Sequence, residues 1–290
     1  MEFPPAAQQE LARRRLTVRG AAHARGGAGE RPTRARGAGL DFAEHRPYRP
    51  GDDIRTLDAA VTARTGQPVV REYVVTGQLP VLVVLDAGPG MRLHPRKWRL
   101  AQGLAAALAF TALSGGDRVQ VVTAAETTRA SGWMRGVNRA AHLLGFLGAV
   151  RPGARGSLPG ALAHPATRAP RGTLTVLVSD FLHEQVPGAL AGLPARGQEV
   201  LAAQVLDPLE LDPAGLGRGV TRLLDVHGDE ELTVTLDDAA RRAYRAALAD
   251  WNAALGAQVT RAGGRWLSVD AARTLEQVIL RDLIARGVIR

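Results

Sequence analysis

The chain has no cysteine among its 290 residues, which excludes disulfides, thiolate catalysis and cysteine-ligated zinc and fits a reducing compartment. Aromatics are scarce at 4%, so Ala, Leu and Val must fill most of any core. Lysine is nearly missing: Lys97 stands alone, and the remaining positive charge is arginine. No run reaches the ~18 consecutive apolar residues of a membrane-spanning helix. The first twenty residues lack the apolar stretch after a basic start that marks a secretory leader, so a cytoplasmic location is expected. The seven histidines show no His-Glu-x-x-His or comparable ligand spacing.

What is present is a hydrophobic fraction of 46% with 22% charged residues, the balance of a globular protein. The length allows one large domain or two small ones. A net charge of +9 raises nucleic-acid binding. The densest basic tract runs from Arg13 to Arg36 with Glu30 as its sole acid, and a solvated, poorly ordered arm over residues 1–38 is the expectation there. A phosphate-contacting arm is the alternative.

Residues 39–77 form a charged motif segment. Pro50 and Gly51 suit the centre of a tight turn. Asp52 and Asp53 follow, ringed by Arg46, Arg49, Arg55, Arg64 and Arg71, with Glu44, Asp58 and Glu72 as further acids. Guanidinium forks hold carboxylates bidentately, so the segment reads as a lattice of charge-assisted hydrogen bonds. That lattice either ties the segment to the main domain or presents a surface to a protein partner.

From Leu79 the pattern becomes α/β. LPVLVVLD is an apolar run of strand length ending in Asp86, and TLTVLVSDF repeats it around Asp180. Such runs suit strands buried on both faces of a parallel sheet, and open α/β sheets place their sites at the carboxyl ends of strands. Helices are predicted over 95–113, stopped by Gly115-Gly116, over 138–150 with Asn138 as cap, and over 186–195. Strands are predicted over 117–123 and 199–206, with a hairpin arm at 127–134. A hairpin over 221–226 and 231–236 follows, then a helix capped by Asp237 whose Tyr244, Leu248, Trp251 and Leu255 stripe reads as core. A strand over 265–269 and a helix over 274–284 complete the pattern. The fold class is a doubly wound, mostly parallel α/β sheet, Rossmann-like, over residues 78–290.

FAEHRPYRPGDDIRTLD followed by ARTGQPVVREY resembles the bacterial family known as domain of unknown function 58. There the segment reads close to EFxExRxYxPGDDxRxIDW and then ART. Phe42, Glu44, Arg46, Tyr48, Pro50, Gly51, Asp52, Asp53, Arg55 and Asp58 match in order, and Arg64 lies in the following Ala-Arg-Thr. The aromatic after the acid is Ala59 here. The resemblance implies a von Willebrand factor type A-like domain with an N-terminal extension, and residues 114–120 resemble that fold's GDRV strand entry.

Type A domains hold a divalent metal through Asp-x-Ser-x-Ser, a Thr and a further Asp. Asp86 and Asp180 match the acids and Ser157 stands for the Thr, whereas Gly88 and Gly90 occupy the serine positions. A magnesium site on Asp86, Ser157 and Asp180 would therefore be degenerate, short of oxygen donors. The implied role is a non-enzymatic adaptor or scaffold that partners a MoxR-type AAA+ ATPase and an unidentified client. The alternatives are a divalent-metal enzyme at the Asp86/Asp180 edge, with His94 and His183 nearby, and nucleic-acid binding through the arginine-rich arm.

Overall fold

The computed structural model describes residues 3–18, 32–33, 40–48, 57–76, 78–225 and 231–290, with 32–33, 40–46 and 71–76 described as backbone. The chain divides into two compact units. Residues 1–19 and 79–290 form one, and residues 20–78 form the other.

The N-terminal expectation needs correction. Residues 3–18, placed above in a poorly ordered arm, belong to the main unit: helix α1 (Pro5–Ala12) starts with proline at its first turn and buries Leu11 completely. Phe3 meets Phe110 edge to face at 5.5 Å between ring centroids. Beyond α1, Leu16 bridges Ile289, Arg15 and Arg290 exchange backbone hydrogen bonds, and Thr17 N–H donates to Val288 O. Apolar residues at 3, 7, 11 and 16 seat this segment in the main core. The arginine tract had masked them as a sequence signal. The rest of the tract, residues 19–31 and 34–36, lies outside the described residues.

The smaller unit is an antiparallel sheet of strands β1 (Pro32–Thr33), β2 (Leu40–Pro47) and β3 (Val69–Thr76), with β3 in the centre. The β2–β3 register shifts between Phe42 and Glu44. Helix α2 (Ala59–Thr65) lies between β2 and β3 in the chain, and Asp58 caps it by accepting from the N–H groups of Ala60 and Val61.

In the main unit the parallel strands are β4 (Pro80–Asp86), β5 (Arg118–Ala124), β8 (Leu174–Ser179), β9 (Glu199–Leu206) and β12 (Arg265–Asp270). Their order across the sheet is β12-β9-β8-β4-β5. Two short antiparallel pieces, β6 (Arg129–Ala130) and β7 (Met134–Arg135), pair with β5 where a single hairpin arm was expected. Winding proceeds from β4 outward to β5, then back across to β8, so the direction reverses between β4 and β8. That crevice is the place where doubly wound sheets put their sites.

Alternation explains the layers. Val81, Val83 and Leu85 of β4 point into the core shared with α1 and the helix over Pro95–Ser114, whereas Leu82 and Val84 point into the other. Short α3 (Pro89–Arg92) leads into α4 (Pro95–Ser114). In α4 the run from Leu104 to Ala109 is wholly buried, as befits a helix apolar on every side. Helix α5 (Ala140–Ala149) follows a 3-10 turn at Val137–Arg139. Asn138 sits inside that turn and not at the expected cap, and Arg139 takes the cap position without a side-chain bond.

The opposite layer holds α6 (Leu158–Ala163), α7 (Val186–Ala195) and the C-terminal half of the helix over Asp238–Arg261. Short α8 (Pro208–Leu211) follows β9. Strands β10 (Gly219–Leu224) and β11 (Glu231–Leu236) pair as the expected hairpin, and residues 226–230 between them lie outside the described residues. Asp237 caps α9 (Asp238–Arg261) through Ala240 N–H. The expected core stripe on α9 holds only in part: Leu255 is buried, whereas Tyr244 is 40% exposed. The first half of α9 runs beside the hairpin instead of over the sheet. Helix α10 (Leu275–Val278), capped by Thr274, continues into a π-type turn at Ile279–Ile284.

Candidate functional site

Four of the five parallel strands deliver an aspartate at their carboxyl ends: Asp86 ends β4, Asp180 and Asp207 follow β8 and β9, and Asp270 ends β12. Asp86, Asp180 and Asp207 are all buried there, so each needs polar partners at the sheet's carboxyl edge. Asp86 and Asp180, with Ser157, line one small pocket at the winding reversal, together with Ser179 and His183. Its volume is about 10 Å³, room for one water or one ion. The acids and the hydroxyl picked from the sequence are therefore brought together.

Each is already engaged. Asp86 accepts from Ser179 Oγ at 2.6 Å and from Gly88 N–H at 2.9 Å. Asp180 Oδ2 accepts from Lys97 Nζ at 2.9 Å, and its Oδ1 takes Leu182 N–H at 3.2 Å. Ser157 Oγ caps α6 by accepting from Gly160 N–H at 3.2 Å. His183 Nδ1 accepts from Gln185 N–H, and His94 stands 3.9 Å from Asp207 instead of joining the pocket. Phe181, directly after Asp180, holds φ +58, a strained setting for a bulky residue. Trp251 Nε1 fixes it by donating to its carbonyl at 3.0 Å.

The central group is Lys97. It comes from the first turn of α4 and its side chain is fully buried. Its ammonium donates to Gly90 O at 3.0 Å, to Asp180 Oδ2 at 2.9 Å and to Glu210 Oε1 at 2.6 Å. One side chain thus ties the segments that follow β4, β8 and β9. Its neighbour Arg96 pairs with buried Asp207, with Nη2 2.8 Å from Oδ1. Glu210 also closes a capping box with Asp207 on α8.

Titration follows from these contacts. Burial and the nearby Asp180 charge push the Asp86 carboxyl up to about 7, against the lowering effect of its hydrogen bonds and of Lys97. Burial would lower the Lys97 ammonium, but Asp180 and Glu210 outweigh it and raise it above the usual lysine value. Burial raises Glu210 despite Lys97, and the Arg96 fork holds Asp207 below the usual carboxylate range.

A divalent metal does not fit this donor set. Magnesium takes six oxygens at ~2.0–2.1 Å, whereas the carboxylate oxygens here already accept N–H and O–H donors and an ammonium sits against Asp180. Among the described residues no three His, Asp or Glu side chains are arranged to hold an ion. The glycines at the serine positions are also required by space. A Cβ on Gly90 would lie 2.4 Å from Asp180 Oδ2, and one on Gly88 would lie 2.7 Å from the backbone oxygen of Gly156. Gly90→Ser should therefore destabilise the fold by about 2 kcal/mol through overpacking, without creating magnesium affinity. Chemical denaturation with and without magnesium checks this; a variant as stable as wild type that gains magnesium-dependent stability would contradict it.

In the motif segment, Pro50, Gly51, Asp52, Asp53 and Arg55 lie outside the described residues, and Phe42, Glu44 and Arg46 are described as backbone in β2. Asp58 serves as a helix cap, Arg64 occupies the last turn of α2, and Tyr48 N–H donates to Pro68 O at 2.8 Å. Sequence reasoning missed Lys97, Glu210 and Ser179 as site residues. The one available signal was that the chain's sole lysine stands in the first turn of the helix whose later run, Leu104 to Ala109, is wholly apolar.

The family model described as "Protein of unknown function DUF58" matches residues 44–254. Uncharacterised proteins of Mycobacterium tuberculosis and Mycobacterium bovis are each 31% identical over 260 residues, covering 86% of this chain and 80% of theirs. Among solved structures, the conserved hypothetical protein BatB from Bacteroides thetaiotaomicron matches at 14% identity and TM-score 0.41, over 72% of this chain and 98% of that one. A von Willebrand factor type A protein from Catenulispora acidiphila matches at 14% identity and TM-score 0.36, over 48% and 35%.

Proposed function

The chain belongs to the DUF58 family, and from the internally satisfied sheet edge we propose that it is a non-catalytic adaptor with a type A-like domain. The observation that carries this reading is that the acids at the winding reversal are spent on the chain's own groups: Asp86 on Ser179 and Gly88, Asp180 on Lys97. Catalysis needs a group poised toward substrate. Here Ser179 Oγ spends its proton on Asp86 and accepts from Phe181 N–H, and the pocket beside it has room for one water.

The partner in this reading is a MoxR-type AAA+ ATPase, as the PGDD motif resemblance implies, and the setting is the cytoplasm. No helix among the described residues is long and apolar enough to cross a membrane. Nucleic-acid binding through the N-terminal arginines is less favoured, because Arg14 pairs with Glu10 and Arg15 donates to Gly115 O inside the main unit. Co-purification of the tagged full chain with the MoxR-type ATPase of the same host tests the adaptor reading. Wild type should retain the ATPase, and Asp52→Arg with Asp53→Arg should reduce retention at least ~10-fold, as reversing interface charge does. Absence of the ATPase from the wild-type eluate would sink the reading.

A further inference from the structure

We propose that Lys97 is the resident cation of this sheet edge, so that the type A-like domain is built permanently in a cation-loaded form. The ammonium sits in a cage of oxygens: Gly90 O at 3.0 Å, Asp180 Oδ2 at 2.9 Å and Glu210 Oε1 at 2.6 Å. A backbone carbonyl with two carboxylates is a ligand set of the kind a hard cation takes, and calcium accepts such oxygens at ~2.3–2.6 Å in flexible geometry. Each oxygen comes from a segment following a different strand, β4, β8 and β9. The ammonium therefore does the cross-linking that an ion at a loop cluster would do.

Two further observations support the substitution. Gly90 lacks the side chain whose Cβ would push into Asp180, and that same glycine contributes the carbonyl that Lys97 uses. The missing serine and the buried lysine are thus parts of one arrangement. Lys97 is also completely shielded, so no carboxylate of a partner can complete its coordination as it could at an exposed ion. A partner is met by the finished edge, and its capture is insensitive to chelators.

The cage should accept an exogenous cation once the lysine is shortened. The experiment is thermal unfolding of the full-length wild type and of Lys97→Ala at matched ionic strength, in sodium, ammonium, calcium or manganese chloride. Wild type should unfold at the same temperature in every salt. Lys97→Ala should unfold at least ~5 °C lower in sodium and recover by roughly 5 °C in calcium present at a hundredfold excess over its Kd, with a smaller gain in ammonium. The calcium gain should vanish when Glu210→Gln is added. Lys97→Gln, which keeps a neutral donor in the cage, is the second variant and should show a weaker calcium response. Calcium indifference of both variants, or equal stabilisation of wild type by calcium, overturns the proposal. Because the readout is stability rather than capture, failure here leaves the adaptor reading standing, and failure of capture leaves this one standing.

Discussion

Lys97→Met should cost about 3–5 kcal/mol of stability at neutral pH, the range found when one partner of a buried ion pair is removed. Methionine nearly matches the lysine stem in length and the site is fully buried, so the loss is not one of volume. It arises because the carboxyls of Asp180 and Glu210, 9% and 12% exposed at the side chain, lose the cation that pairs them. Adding Asp180→Asn and Glu210→Gln removes both charges and should recover most of the loss, since neutral replacements of a buried ionic group often restore stability. Urea unfolding of wild type, single and triple variants reads the effect. A single-variant loss below ~1 kcal/mol would place this pairing among weak surface bridges, and a triple variant no better than the single one would show that packing dominates.

Asp86→Asn should act in the opposite direction and only above acid pH. The folded carboxyl keeps its proton up to about 7, whereas the unfolded one releases it near ~3.9. Between those values the folded state binds the proton that the unfolded state has lost, so stability falls as pH rises through the window and levels off above it. The full shift corresponds to ~4 kcal/mol, an upper bound. Asparagine is neutral at every pH: its carbonyl can accept from Gly88 N–H, and Ser179 Oγ, which donates to the aspartate, turns to accept from the amide. The variant should be ~1–3 kcal/mol more stable than wild type at pH 8, with the difference closing toward pH 4. Parallel pH slopes for the two proteins would refute this account.

The sheet was legible in the sequence wherever one force acted alone. The run Val81–Leu85 is apolar without interruption, and Leu174–Val178 is apolar but for Thr175, because both faces are covered. Legibility failed where distant parts had to be known together. Lys97, Asp180 and Glu210 are separated by 83 and 113 positions from the lysine, and no local pattern announces that they meet. The α9 stripe misled because periodicity reports which residues share a face but not how much of the helix has a neighbour. Asn138 misled because a 3-10 turn moved the start of α5 beyond it. At Pro5–Ala12 the arginines that follow from Arg13 drew attention from a short apolar face that docks on α4.

The pairing of residues 15–17 with 288–290 also sets an order of events during synthesis. Thr17 bonds Val288 across 271 positions, and Arg265 donates to Thr17 across 248. On a ribosome emitting the N-terminal side first, Thr17 must await Val288 while residues 20–78 emerge and make their own contacts. Closure of so long a loop is slow, so a nascent chain halted before residue 288 would carry an unfinished main unit open to proteases and chaperones.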